Sequence, residues 1–119
     1  MELHARAEKA LINAFEASSG QGGPPRLKAA LQDALFSGGA RIRPQLCIAV
    51  AMACSEEEQA LTDAAAVSIE MMHCASLVHD DMPAFDNADT RRGKPSVHKA
   101  HGEPLALLAG DALIVMAFD

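Results

Sequence analysis

The residues best suited to chemistry lie between His79 and Pro95. That window reads His-Asp-Asp-Met-Pro-Ala-Phe-Asp-Asn-Ala-Asp-Thr-Arg-Arg-Gly-Lys-Pro, with four aspartates, two adjacent arginines and a lysine. Buried charges need partners or a metal, so the window does not read as core. Asp80 and Asp81 fall at the end of a predicted helix, where the last carbonyls already carry negative partial charge. Two carboxylates there, joined by Asp86, repel one another unless cations are present. Mg²⁺ suits them: it takes one or two carboxylates, keeps waters and accepts phosphate oxygens. In a straight helix residues six apart differ by roughly 240°, which would turn Asp80 and Asp86 away from each other. Pro83 makes a straight helix untenable, and a bend there lets Asp86 swing back. Arg91 and Arg92 follow, and arginine forks bind phosphate oxygens bidentately. Carboxylates with metal beside arginines make a two-sided clamp for a diphosphate. The competing reading is an acidic helix end, solvated or paired with Arg91 and Arg92.

Other residues extend the cluster. Arg41 and Arg43, next to Gly38-Gly39 and Pro44, suggest a second phosphate contact, or else exposed arginines at a helix start. His73 precedes Asp80 by two helical turns on one face and could donate to a second phosphate, though a lone helical histidine is commonly structural. His79 either orients an aspartate or simply ends the helix. His98 and His101 read as surface residues. A calcium loop is excluded, because its ligand spacing is not met from Asp80, Asp86 or Asp89.

The elements that must position these residues read as helices. The chain has 119 residues, enough for one domain with a modest core. Half of it is apolar with no Trp or Tyr, and Ala, Leu, Met, Ile and Val suit helix packing. Apolar spacing predicts a first helix to about Ala17, a loop from Ser18 to Gly23, and a second helix from Pro24-Pro25 to near Ser37. A third runs roughly from Pro44 to Cys54. Ser55 with Glu58 resembles a capping box opening a long helix over about Glu56 to Asp81. Ser96 could cap a short turn, and Pro104 opens a last helix that reads as buried. No segment alternates with period two, so no sheet is expected.

Ten basic against sixteen acidic residues give a net charge of −6, which argues against a nucleic-acid partner. The three cysteines, Cys47, Cys54 and Cys74, form no CxxC pair and suggest buried, reduced thiols. The N-terminus lacks a signal-type apolar stretch, and the apolar run Leu105–Phe118 is too short to span a bilayer, so a cytoplasmic protein without a membrane span is expected.

Three motifs now stand in order. Gly38-Gly39-Ala40-Arg41-Ile42-Arg43-Pro44, Asp80-Asp81-Met82-Pro83-Ala84-Phe85-Asp86 with Arg91-Arg92-Gly93-Lys94-Pro95, and Leu108-Ala109-Gly110-Asp111-Ala112-Leu113 closely resemble signatures of the all-trans prenyl diphosphate synthases. The resemblance implies the all-α isoprenoid-synthase bundle, one helical domain over 1–119 as its incomplete first half, and a homodimer. It implies Mg²⁺-dependent condensation of isopentenyl diphosphate with an allylic diphosphate to a C20 or C15 prenyl diphosphate. Asp80 and Asp86 would ligate Mg²⁺ with Asp81 supporting them as the catalytic set. Arg91 would contact the allylic diphosphate, and Arg43, His73 and Arg92 isopentenyl diphosphate. Ala75 and Ser76, small residues about one turn before Asp80, would face the elongation pocket. Ala40 departs from the family lysine, removing one cationic contact. The family's second aspartate-rich motif is absent, so this chain is expected to be inactive alone. The other reading is a non-catalytic helical module or partner subunit.

Overall fold

The structure, a computed structural model, describes residues 2–18 and 23–118. Six helices account for most of them: α1 (Leu3–Ser18), α2 (Pro25–Leu35), α3 (Ile42–Ala53), α4 (Gln59–Asp80), α5 (Val97–His101) and α6 (Glu103–Ala117). The expected all-α architecture is observed, with one addition. Thr90–Arg91 (β1) and Lys94–Pro95 (β2) pair antiparallel, Thr90 opposite Pro95 and Arg91 opposite Lys94. The hairpin corrects the expectation of no sheet. Strands this short cannot display period two, and their signal lies in the turn. Arg92 and Gly93 both take positive φ, 53° and 78°, as the central residues of a type I′ turn do. The loop expected over Ser18–Gly23 falls largely outside the described residues.

The helix starts differ from the sequence expectation at one place. Ser55 has φ 62° and α4 begins only at Gln59, whereas a capping residue takes an extended backbone. The capping box is therefore absent. Glu56 is engaged elsewhere: its carboxylate accepts from Arg6 Nη1 at 3.0 Å and Nη2 at 2.6 Å, while Asp63 takes Nε at 2.9 Å. Arg6 thus links α1 to the approach and first turns of α4.

The chain forms two compact units. The first comprises α1, α3 and α4 up to Glu70. Its apolar core is Ala7, Ile48 and Ala66, with Leu3 and Cys47 packed against it. The second comprises α2, α4 from Met71, the hairpin, α5 and α6. There α2 packs on α5 and α6, and α5 on α6. Both α2 and α6 bury alanines, Ala30 and Ala34 on one, Ala106 and Ala109 on the other, which lets helices approach closely. The last helix is buried on one face only: Leu108 and Val115 are exposed, correcting the expectation of a wholly buried helix. Cys54 likewise is exposed while Cys74 is buried. No helix among the described residues is long and apolar enough to cross a membrane.

One contact ties the end of α4 to α6. A β-carbon placed on Gly110 would overlap the His79 imidazole. Only glycine leaves the notch that this ring fills. His79 Nε2 is enclosed without a hydrogen bond, and Asp111 Oδ1 lies 3.4 Å from it. The side chain next to Asp80 is therefore set by the backbone of α6.

Both the notch and the Arg6 cluster can be probed by unfolding. Gly110→Ala gains about 1 kcal/mol of helix propensity but overpacks the notch at about 1–3 kcal/mol. We expect net destabilisation in the wild-type background and stabilisation in a His79→Ala background, read by urea denaturation. The same sign in both backgrounds would remove His79 from the notch. At the Arg6 cluster the variable is pH. The hydrogen bonds from Arg6, then Thr62, hold the Glu56 carboxyl below its ordinary value of 4.5. A depressed carboxyl contributes stability fully above its unfolded value and loses it as pH falls through the folded one. The gap in urea midpoint between wild type and Arg6→Gln should stay constant above about pH 5 and narrow below about pH 4.

Candidate active site

Asp81 is the centre of the window. Its side chain is 5% exposed at the carbonyl end of α4, where a carboxylate is least welcome. Arg91 resolves this by donating Nε to Oδ2 at 3.0 Å and Nη2 to Oδ1 at 2.6 Å. The fork-to-carboxylate match is the strong form of such a pair. The Asp81 hydrogen bond raises the Arg91 pKa above its ordinary value, burial opposes it, and the charges of Asp80 and Asp86 add to the rise. One guanidinium thus lies in the field of three aspartates.

The chain between them folds back onto the helix end. Asp86 N–H donates to the Asp80 carbonyl at 2.8 Å, Ala88 N–H to the Asp81 carbonyl at 2.9 Å, and Phe85 and Asn87 N–H to the Met82 carbonyl at 2.9 and 3.0 Å. Carbonyls that a helix end leaves without partners are satisfied this way. The bend expected at Pro83 is present, and it returns the Asp86 backbone to Asp80. Ser96 Oγ and His98 Nε2 both bond the Ala88 carbonyl, at 2.7 and 2.8 Å. His98 is 8% exposed, so its reading as a surface residue is corrected. It carries its proton on Nε2 to donate to a carbonyl. His101 is also not a bare surface residue, since Nε2 pairs with Asp33 Oδ2 at 2.5 Å. Sequence spacing missed these anchors, because a histidine in a five-residue helix carries no periodic signal.

Asp80 and Asp86 remain exposed beside this frame. No cluster of three or more His, Cys, Asp or Glu able to hold a metal occurs among the described residues. Two exposed carboxylates fit a cation that takes its other ligands from water and phosphate, as Mg²⁺ does, and do not fit a closed protein cage. A cavity of about 20 Å³ touches Asp81, Arg91, Arg92 and Ser37. It holds roughly one water.

The hairpin turn separates the two arginines. Arg91 sits in β1 and faces Asp81. Arg92 sits in the turn, donates Nη1 to Ser37 Oγ at 3.2 Å, and lies over Gly39, where an added β-carbon would meet its guanidinium at 3.1 Å. Residues adjacent in sequence thereby serve different neighbours. Arg43 belongs to the first unit and is exposed in the first turn of α3. Arg41 is corrected: it is 3% exposed and paired with Glu8 and Glu70, so it is not a phosphate contact. His73 is half-buried on α4, its carbonyl taken by Ser76 Oγ at 2.6 Å. Ala75 is 1% exposed and Ser76 exposed.

Comparison with known proteins agrees with this frame. The polyprenyl synthetase family matches residues 24–119. Geranylgeranyl diphosphate synthase of Rhodobacter capsulatus is 58% identical over 119 residues, all of this chain and 41% of that protein. The synthase of the same name from Cereibacter sphaeroides is 54% identical over the same span. The crystal structure of geranyltranstransferase from Thermotoga maritima superposes with a TM-score of 0.88 at 40% identity, over 98% of this chain and 43% of that one. The chain therefore spans about two-fifths of the length of these relatives. Sequence, helical fold and aspartate–arginine frame together place it in the polyprenyl synthetase family.

Proposed function

We propose that this chain supplies the first aspartate-rich half of a trans-prenyltransferase active site. The single observation that carries the reading is Asp80 and Asp86, exposed and brought together by the fold-back, beside an Arg91 locked to Asp81. In the proposed reaction the C1–O bond of an allylic diphosphate breaks and its electron pair leaves with the diphosphate. The double bond of isopentenyl diphosphate attacks C1, and a proton is lost to leave a longer prenyl diphosphate. The relatives named above support a C20 product, with C15 as the neighbouring choice. A cytoplasmic homodimer is part of the proposal.

Asp80 and Asp86 would hold Mg²⁺, which when bound supplies Lewis-acid stabilisation to the departing diphosphate. Asp81 instead fixes Arg91. Its pair occupies Nε and Nη2, so an allylic diphosphate would meet the remaining Nη1 edge. By the resemblance Arg43, His73 and Arg92 would contact isopentenyl diphosphate, with Ala40 offering no cation. Ser76 and Met72, exposed on α4, would line the path of the growing chain, where water has to be excluded from a cationic intermediate. An opposing metal-binding helix is needed from elsewhere.

Incubation with labelled isopentenyl diphosphate, an allylic primer and Mg²⁺ tests this. The 119-residue chain should show no turnover, and a polypeptide extended to the length of its relatives should show it. Turnover by the chain alone would overturn the need for a second half. In the extended enzyme Asp80→Asn and Asp86→Asn should each cost about 10²–10³-fold in turnover. Their melting temperatures should hold or rise, because each removes a repelling charge. Asp81→Asn should lower both turnover and melting temperature by releasing Arg91. Ser76→Phe should shorten the product, and an unchanged product would remove Ser76 from the pocket.

A further inference from the structure

Arg41 is a buried, doubly paired cation in the first unit, and nothing in the proposed chemistry uses it. It takes φ 58°, ψ 39°, a left-handed backbone, at the residue preceding α3. Non-glycine residues accept that conformation at a cost and favour it only where the surroundings over-determine it. Gly38 and Gly39 stand just upstream, so the chain could have placed a glycine here. It places instead a side chain that is 2% exposed. Nε donates to Glu8 Oε1 on α1 at 2.5 Å, and Nη1 to Glu70 Oε2 on α4 at 2.7 Å. Glu70 is itself buried, 3% exposed at its side chain. Two carboxylates over-balance one guanidinium, which leaves Arg41 no attraction to spare for an anion.

The backbone of the same residue starts α3. Its carbonyl accepts from Gln45 N–H at 3.1 Å, and the Gln45 side-chain Nε2 bonds the Ala40 carbonyl at 2.8 Å. The Arg41 side chain makes no capping bond to the helix it precedes. The residue whose guanidinium is held between α1 and α4 is thus also the residue from which α3 sets out. Arg43 lies two residues on, in the first turn, and is exposed.

We propose that Arg41 is a positioning residue: clamped between Glu8 and Glu70, it holds the left-handed start of α3 and so aims Arg43 at isopentenyl diphosphate. The role rests on the reading of Arg43 given above. It explains why an arginine stands where substrate is not touched and why the backbone tolerates φ 58° there. It also concentrates demand on Arg43, since Ala40 supplies no charge.

The test is steady-state kinetics of the extended enzyme with each substrate varied in turn. Arg43→Ala should raise KM for isopentenyl diphosphate about tenfold or more, the scale of one charge-assisted hydrogen bond. Arg41→Lys keeps the charge but replaces the two donating nitrogens of the planar guanidinium with one, losing the fixed two-point geometry. It should raise the same KM about tenfold, leaving kcat and the allylic KM within about threefold. Arg41→Gly accepts positive φ freely yet loses the clamp, and should behave like Arg41→Lys. In an Arg43→Ala background neither change should add further. Glu8→Gln, a milder loss of one partner, should shift KM in the same direction and serves if the Arg41 variants do not fold. Additive effects in the Arg43→Ala background overturn the proposal, as does a normal KM in Arg41→Gly or in Glu8→Gln. A normal KM for Arg43→Ala itself overturns the assignment of Arg43, and the positioning role with it.

Discussion

A carboxylate buried at the carbonyl end of a helix is an unstable arrangement unless a cation is delivered to it. Asp81 is in that position, and its partner Arg91 comes from ten residues downstream. The chain between must then bend at once, return to the helix end and turn again within a hairpin. Each of these demands is visible as backbone hydrogen bonding: Asp86 to Asp80, Ala88 to Asp81, then Ser96 and His98 on the Ala88 carbonyl. The loop is polar and exposed in composition, yet it is held at nearly every step. Its order is a consequence of one ion pair that cannot be left unmade.

The division of labour among like residues follows from burial. Asp81 is enclosed and neutralised, so it acts on structure. Asp80 and Asp86 are exposed and carry charge outward. Arg41 is enclosed between two glutamates, while Arg43 two residues later is exposed. A buried charge with partners on both sides has little left for a ligand, and removing one partner of such a pair is costly. Residue type alone cannot tell these pairs apart. Their spacing can, but only once it is known which turn of the backbone intervenes.

Legibility in the sequence divides along the same line. The helices are readable from apolar spacing, since α1, α2 and α6 bury one stripe each. The aspartate cluster and its bend are readable because Pro83 forbids a straight helix. The competing reading of the cluster is also partly right: Asp81 is paired with Arg91, as an acidic helix end would be. The hairpin is not readable, because two-residue strands have no period. The late start of α4 is hidden for a different reason. Ser55 and Glu58 fit a local capping pattern, but Arg6, about fifty positions earlier, claims Glu56 instead. A long-range charge pair overrides a local preference, and local patterns carry no information about it. The burial of Arg41 and His98 is invisible for the same reason.

The hairpin also settles how two neighbouring arginines avoid competing. On a helix Arg91 and Arg92 would point about 100° apart and share a flank. In a strand entering a type I′ turn, one faces the aspartates and the other reaches Ser37 and Gly39. Gly39 is the last residue before the segment that leads into Arg41 and Arg43. A β-carbon there would crowd the Arg92 guanidinium, so the second glycine of Gly38-Gly39 gives room to an arginine far along the chain. Gly39 therefore leaves room for the cation that the hairpin presents, and the left-handed turn at Arg92 is the conformation that presents it.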